Sequence, residues 1–131
     1  MITYEWRGAV ADFELDALHA DAFEHALLTD PWNERLASRS VGWVTARDGR
    51  ELVGFVNVVG DGGVHAFLID TMVAADTRRT GVGTRLIDFA VAQARAGGCE
   101  WLHADFDARH RAFYVDACGF RPTAAGLIKL K

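Results

Sequence analysis

The stretch Arg78-Arg79-Thr80-Gly81-Val82-Gly83 stands between two segments of different character. Before it, Val64–Val73 is nearly all apolar, which predicts a buried central strand. After it, apolar residues recur at helical spacing over Val82–Ala96, which predicts an amphipathic helix. The sequence therefore predicts a cationic, glycine-containing turn between a strand and a helix.

This turn has the chemistry of a phosphate-binding site. The first N–H groups of a helix lack partners and carry partial positive charge, so they attract phosphate groups. Gly81 and Gly83 would let a phosphate approach the backbone closely, and Arg78 and Arg79 would add full charges beside it. A glycine pair alone is typical of a solvated turn, but its coincidence with a strand, two arginines and a helix favours a pyrophosphate site.

Composition predicts one domain, residues 1–131, with a real core. The hydrophobic fraction of 50% argues against disorder, and the net charge of −4 argues against a nucleic-acid partner. No apolar stretch is long enough to span a membrane, and the first residues do not resemble a secretory signal. Cys99 and Cys118 fit no disulfide or metal framework, so we expect a reduced, cytoplasmic protein without a metal site.

Several further segments are predicted as strands. They are Tyr4–Trp6, Trp43–Ala46, Leu52–Val59 and Trp101–Phe106. Asp48-Gly49 between two such runs is a strong hairpin signal, and Asp61-Gly62-Gly63 turns the chain again. The crossover from Val73 through a helix to Trp101 predicts a parallel pair inside a mixed sheet.

Three further segments are predicted as helices. They are Asp12–Leu28, with an apolar side of Phe13, Leu15, Leu18, Phe23 and Leu27; a short helix through Leu36; and Ala108–Cys118. Asp30 would cap the short helix, with Pro31 as its first residue. Gly97-Gly98 would end the long helix, and Phe120–Lys131 would form one or two last strands. The fold class is therefore α/β (α+β), with helices flanking a mixed, mostly antiparallel sheet.

Taken together, these features resemble the GNAT superfamily of acetyl-CoA-dependent N-acetyltransferases. Arg78-x-x-Gly81-x-Gly83 is similar to the family's Q/R-x-x-G-x-G/A pyrophosphate loop, and Leu68–Val73 to its central strand. Ala112-Phe113-Tyr114 and Cys118-Gly119-Phe120 resemble the family's later A-x-x-F-Y…G-F segment. The resemblance covers about Leu52–Phe120.

Two positions depart from the family pattern. Asp107 stands where the family often has asparagine, seven residues before the tyrosine. Tyr114 lies one residue farther from Gly119-Phe120 than usual, a difference that a bulge or an extra turn could absorb.

The resemblance implies that an amine attacks the thioester of acetyl-CoA directly while both are bound. Amides of Arg79–Thr84 would hold the pyrophosphate, and Met72 and Val73 would pair with the pantetheine chain as a strand does. The cofactor-binding residues so implied are Met72, Val73, Arg78, Arg79, Thr80, Gly81, Val82, Gly83 and Thr84. Homodimers are common in the family; nucleic acid and membranes are not expected partners.

The catalytic candidates are Tyr114, Asp70 and His103. Tyr114 matches the Phe-Tyr motif, and a phenol, with a pKa of about 10, can protonate the leaving thiolate; a core tyrosine is the alternative. Asp70 is a charge within an apolar strand, which suits a base or a structural partner at a bulge. His103 has an imidazole that can act as a base, although a single strand histidine is more often structural.

The acceptor amine is not identified by the sequence. Asp105 and Asp107 could attract a cationic amine. Trp32, Glu24 and His25 lie where such proteins wall the acceptor site, but the simpler interpretation is that Trp32 packs the short helix and the other two are solvated.

Two other functions stay open at this level. A domain of this type could bind acyl-CoA without catalysis, as a sensor or partner module. A dinucleotide-binding domain is less consistent with the sequence, because Leu86 replaces the third glycine and antiparallel strands precede the motif, although Asp105 has nearly the expected separation from Gly81.

Overall fold

The computed structural model describes residues 1–131 and contains a five-stranded sheet. Its strands are β1 (Ile2–Trp6), β2 (Ser40–Asp48), β3 (Glu51–Gly60), β4 (His65–Val73) and β5 (Trp101–Ala104), which lie in chain order across the sheet. Neighbours are antiparallel from β1 to β4, and β5 is parallel to β4. The predicted mixed, mostly antiparallel sheet with one parallel pair is confirmed.

Helices cover both faces of this sheet. They are α1 (Asp12–Phe23), α2 (Trp32–Arg39) and α3 (Val82–Ala96). Gly54 and Phe55 are adjacent on β3 and so point to opposite faces. A Cβ added at Gly54 would lie 2.9 Å from Leu86 of α3, whereas the Phe55 ring packs 6.2 Å from that of Trp32 in α2. Thus α3 lies on one face, and α2 with its neighbour α1 on the other. None of the helices combines the length and the apolar character that crossing a bilayer requires.

The strand that is buried on both faces is β3, not β4. Ala66 and Leu68 of β4 are buried, but Phe67 and Ile69 on its other face are each 44% exposed. The prediction of a fully buried β4 is therefore wrong. Its apolar sequence is satisfied by burial on one side, because α1 and α2 leave the first half of the strand uncovered.

The Asp48-Gly49 hairpin is confirmed. It joins β2 to β3, and Gly49 has a φ of 61°, a left-handed conformation that glycine adopts without steric penalty. Both strands are longer than predicted. Strand β2 begins directly after α2 at Ser40, and β3 runs from Glu51 to Gly60.

The first two helices differ from the prediction at their ends. Helix α1 ends at Phe23 instead of Leu28. The next residue, Glu24, adopts a left-handed conformation, and its N–H donates to the Ala20 carbonyl. Helix α2 begins at Trp32 with Pro31, not Asp30, in the capping position, and it runs past Leu36 to Arg39.

The predicted apolar side of α1 is also wrong. Leu15 and Leu18 are buried, but Phe13 is 73% and Leu27 is 68% exposed. Only a narrow strip of α1 meets the sheet, because the chain leaves the helix before Leu27.

The segment after β5 differs most from the prediction. Strand β5 ends at Ala104 instead of Phe106, and a 3-10 turn (Ala108–His110) followed by a π-helix (Ala112–Ala117) replaces the predicted α-helix. No strand forms in Phe120–Lys131, whose residues beyond Phe120 are exposed. A strand needs a neighbour to satisfy its backbone hydrogen bonds, and this segment has none here.

Asp16 fastens α2 to α1. Its buried carboxylate accepts hydrogen bonds from the Asp30 backbone N–H, at 3.1 Å, and from the Trp32 indole Nε1–H, at 2.9 Å. Because Trp32 packs against Phe55 of β3, this contact fixes the chain between the two helices.

Replacing Asp16 with alanine should destabilise the protein. Two buried or half-buried donors would lose their acceptor, which lowers the free energy of unfolding by about 1–3 kcal/mol for each donor left without a partner. Urea denaturation measures the difference, and Asp88→Ala, at an exposed position of α3, is the control. Equal stability of the two variants would contradict the role of Asp16.

Candidate active site

A β-bulge interrupts β4 at Asp70 and Thr71. Phe55 pairs with Met72 and Asn57 with Ile69, so two residues of β4 lie opposite one residue of β3. Asp70 has a φ of 55°, in the left-handed region that aspartate adopts more readily than most residues. The bulge therefore breaks the alternation of the strand and aims the Asp70 side chain independently of its neighbours.

Beyond this bulge, β4 and β5 have separated. Their last paired residues are Leu68 and Ala104, so the segment Ile69–Val73 has no strand partner on the β5 side. The edge that Met72 and Val73 present there is open to an extended ligand with amide groups. The gap between the two strands leads directly from the bulge to the following turn.

The turn between β4 and α3 presents free backbone donors. No N–H group of residues 78–84 donates a hydrogen bond within the protein. Gly81, with a φ of 88°, is the capping residue of α3 and adopts a conformation that favours glycine. The predicted strand, turn and helix are confirmed, and the helix begins at the predicted Val82.

Helix α1 holds this turn in place. The Arg78 guanidinium donates to the Ala22 carbonyl at 2.7 Å, and the Ala75 N–H donates to the Asp21 carboxylate at 2.8 Å. Arg78 is thus partly used within the protein, whereas Arg79 is exposed and makes no hydrogen bond through its side chain.

Gly83 also has a packing reason to be small. A Cβ added there would lie 3.0 Å from Cε1 of Phe113 and 3.7 Å from Cγ2 of Val73. The position therefore admits the Phe113 ring against the first turn of α3. This contact links the turn to the segment that carries Tyr114.

The π-helix accommodates the additional residue between Tyr114 and Gly119-Phe120. Within it the Cys118 N–H bonds to the Phe113 carbonyl, five residues back, which is the signature of one inserted residue. The Tyr114 ring stacks on Phe106 at 4.8 Å and meets Phe113 edge-on at 4.9 Å. The extra turn is thus present, and aromatic contacts fix the ring.

Tyr114 faces the bulge of β4. Burial raises the pKa of its phenol above the ordinary value, and an interaction with the Thr71 hydroxyl lowers that pKa in part. The phenol consequently keeps its proton at neutral pH and can donate it. Thr71 was not singled out in the sequence, where nothing marks the hydroxyl beside a bulge.

Asp70 lies on the α1 and α2 side of the sheet. Burial raises the pKa of its carboxyl group, the charges of His19 and Arg35 lower it, and that of Asp30 raises it further. These groups come from α1, α2 and the chain between them, so the bulge and these elements share one polar surface, which is called the Asp70 pocket below. His19 was missed in the sequence, although its spacing of one turn from buried Leu15 places it on the sheet-facing side.

His103 is not brought together with the other two candidates. It lies opposite Phe67 in the β4–β5 register, stacks on that ring at 4.4 Å and contacts a His65 ring nitrogen at 2.8 Å. Phe67 is three positions before Asp70, or about 10 Å along a strand. Asp105 and Asp107 are exposed beyond the end of β5.

Trp32 and His25 have different outcomes. Trp32 is 3% exposed and packs against the sheet, which confirms its packing role. His25 was expected to be solvated, but it is half-buried and forms a hydrogen bond with His19 at 2.5 Å.

Comparison with known proteins identifies a sequence family. The profile of the Acetyltransferase (GNAT) family matches residues 6–120. No curated protein matches the chain in sequence.

Three solved structures with a similar fold are acetyltransferases by name. A probable acetyltransferase of unknown function from meticillin-resistant Staphylococcus aureus has a TM-score of 0.80 at 20% identity, with 100% of this chain and 99% of that one covered. A GNAT family acetyltransferase from Streptococcus pneumoniae TIGR4 has a TM-score of 0.75 at 24% identity, with 100% of both chains covered. Glucosamine-6-phosphate N-acetyltransferase from Arabidopsis thaliana has a TM-score of 0.76 at 13% identity, with 97% of both covered.

Asp70→Asn should stabilise the protein at neutral pH. Because the pKa of Asp70 is raised in the folded state, the protonated carboxyl group favours folding. This contribution to the free energy of unfolding is fully present below the ordinary carboxyl pKa, and it is lost as the pH rises through the raised value. Asparagine keeps the size of the side chain, tolerates the left-handed backbone and carries no charge. We expect the variant to be more stable than the wild type at pH 7, with the difference vanishing below a pH of about 4.

Chemical denaturation at both pH values measures this difference. Asp105→Asn, at an exposed position, is the matched control and should show no comparable gain. A variant Asp70→Asn that is less stable than the wild type at pH 7 would contradict the environment described for Asp70.

Proposed function

The chain belongs to the acetyltransferase (GNAT) family, and we propose that residues 1–131 act as one catalytic domain that acetylates a primary amine by direct attack on acetyl-CoA. The observation that carries this proposal is the gap between β4 and β5. The turn with free N–H groups lies at one end of this gap. The bulge with Asp70 lies at the other end, and Tyr114 faces that bulge. A donor and an acceptor can therefore approach from opposite sides of the sheet.

The turn fits the pyrophosphate of CoA. Free N–H groups of residues 78–84 supply donors for phosphate oxygens, and the amino end of α3 adds partial positive charge. Arg79 is free to pair with a phosphate, and Arg78 retains further N–H donors beside its bond to Ala22. The pantetheine chain would run along the open edge at Met72 and Val73, which brings its thioester to the bulge.

The reaction needs charge stabilisation and proton transfer at that point. A backbone N–H on the open edge of β4 would stabilise the oxyanion that forms when the amine adds to the thioester carbonyl. The Tyr114 O–H would protonate the sulfur as the carbon–sulfur bond breaks, since burial keeps the phenol protonated. Asp70 would hold the incoming ammonium group by its negative charge. His103, in contact with His65 and Phe67, is not among the residues on which the proposal depends.

The acceptor we propose is a cationic amine on a small molecule or a peptide. Asp30 and Asp70 both contribute negative charge to the pocket beside α1 and α2. The Arabidopsis protein of similar fold is, by its name, an N-acetyltransferase of an amino sugar phosphate, which is consistent with an amine acceptor.

Acetyl-CoA and CoA should stabilise the protein against heat, whereas NAD should not. At about 100 times the dissociation constant, a ligand that binds only the folded state adds roughly 2.7 kcal/mol, which raises the Tm by several degrees. Thermal unfolding with each ligand and with none measures the shift. Stabilisation by NAD alone, or by none of the three, would contradict the assignment of the turn.

Gly81→Val should abolish the stabilisation by CoA. A branched side chain at a φ of 88° would distort the turn that presents the free N–H groups. Gly62→Val is a matched control, because Gly62 has a φ of 85° in the turn between β3 and β4 and its Cβ would also meet open space. An unchanged CoA-induced Tm shift in Gly81→Val would remove the turn from the binding site.

Tyr114→Phe should slow turnover and leave acetyl-CoA affinity intact. Loss of a general acid typically lowers kcat by a factor of about 10²–10⁴. Release of the CoA thiol, followed with a thiol reagent over a panel of amines, measures turnover. Tyr4→Phe, which alters the chain's other tyrosine on β1, is the control, and wild-type turnover by Tyr114→Phe would eliminate Tyr114 as the acid.

A further inference from the structure

Two histidines form a hydrogen-bonded chain at the carboxyl end of α1. Nδ1 of His19 lies 2.5 Å from Nε2 of His25, and Nδ1 of His25 lies 2.6 Å from the carbonyl oxygen of Ala26. Both rings are half-buried, and their centroids are 4.8 Å apart. Neither contact has a role in the proposed binding of CoA or in the proposed actions of Asp70 and Tyr114.

When both imidazoles are neutral, the carbonyl at the end of this chain fixes the tautomer of each. A carbonyl oxygen only accepts hydrogen bonds, so Nδ1 of His25 must carry a hydrogen. A neutral imidazole carries one hydrogen, which leaves Nε2 of His25 as an acceptor, and Nδ1 of His19 must then be the donor. The remaining nitrogen, Nε2 of His19, therefore has a free lone pair, and no protein group donates to it.

His19 also borders the pocket of Asp70. Its ring packs 4.6 Å from Phe23 and 5.8 Å from Trp32. Trp32 in turn packs on Phe55, which lies opposite Met72 of β4, and a protonated His19 would lower the pKa of the Asp70 carboxyl group. The charged and titratable groups around this pocket are His25 after α1, Asp30 before α2, Arg35 in α2 and Asp70 in β4. In this tautomer, an oriented nitrogen with a free lone pair thus lies within electrostatic range of the carboxylate that would hold the ammonium group.

We infer that His19 is the catalytic residue that removes a proton from the acceptor amine, and that His25 is a positioning residue that holds His19 in the required tautomer. This inference rests on the proposed acetyl transfer and names the base for it. Asp70 is then not the base that the sequence predicted. Its negative charge would instead stabilise the imidazolium that His19 becomes when it takes the proton.

The proton balance of this scheme is complete. An N–H bond of the ammonium group breaks, and the proton passes to Nε2 of His19. The free amine bonds to the thioester carbon, the carbon–sulfur bond breaks, and the Tyr114 proton passes to sulfur. The second proton that the nitrogen loses restores the Tyr114 phenol, and His19 releases its proton to solvent. The products are the amide, CoA with a free thiol, and one proton.

The tautomers are measurable without any substrate. Long-range ¹H–¹⁵N correlation spectra of the wild-type protein at neutral pH should show both His19 and His25 with hydrogen on Nδ1. His110, which is exposed and makes no side-chain hydrogen bond, is the internal reference. Hydrogen on Nε2 of neutral His19 would overturn the inference, whatever the activity of the protein.

Kinetics then test the roles of the two histidines. His19→Gln should lower kcat/KM for the amine by a factor of about 10²–10⁴ and leave the acetyl-CoA-induced Tm shift unchanged. His25→Gln keeps a carbonyl oxygen that can accept from His19 and should retain most activity, whereas His25→Leu should lose it. His110→Gln is the control and should match the wild type.

The failure of the inference and that of the proposed function have different signatures. Wild-type turnover in His19→Gln would overturn the role of His19 while acetyl transfer stands. Equal activity of His25→Gln and His25→Leu would overturn the positioning role of His25. No turnover by the wild type with any amine would instead overturn the proposed function, on which this inference rests.

Discussion

The extra residue in β4 at Asp70 and Thr71 is the constraint on which the candidate site depends. Opposed to a single residue of β3, it breaks the alternation of side chains and lies where β4 loses its pairing with β5. The backbone groups of the following residues are thereby left open along one edge. The bulge thus lies at the start of the open edge and aims Asp70 independently of its neighbours.

Helix α1 connects the two ends of this site. Asp21 and Ala22 near its carboxyl end hold the turn that precedes α3, and His19, one turn earlier, reaches the pocket beside Asp70. The proposed CoA cradle and the proposed acceptor pocket therefore depend on the placement of the same helix. Asp16 completes the arrangement by fixing the start of α2 against α1, so that the wall of the pocket is tied to its other elements.

Local signals made the strand–turn–helix unit and the Asp48-Gly49 hairpin predictable, because turn chemistry and helical periodicity act over a few residues. Predictions that needed distant partners fared worse. The apolar run of β4 gave no sign that one face of its first half is uncovered, and the apolar residues of Phe120–Lys131 gave no sign that no neighbouring strand receives them. The stripe expected on α1 was wrong for the same reason, since burial depends on what packs against a helix.

By itself, the sequence determined the order of the elements, the cationic turn from Arg78 to Gly83 and the resemblance that led to the family. Only the tertiary structure decided that Tyr114 faces the bulge through a π-helix, that His103 lies apart from it, and that His19 and Asp70 come within electrostatic range of each other. Residues far apart in the chain meet only when helices and sheet are packed. The spacing of His19 along α1 indicates which side of the helix it occupies, but what it meets there depends on contacts that no local pattern records.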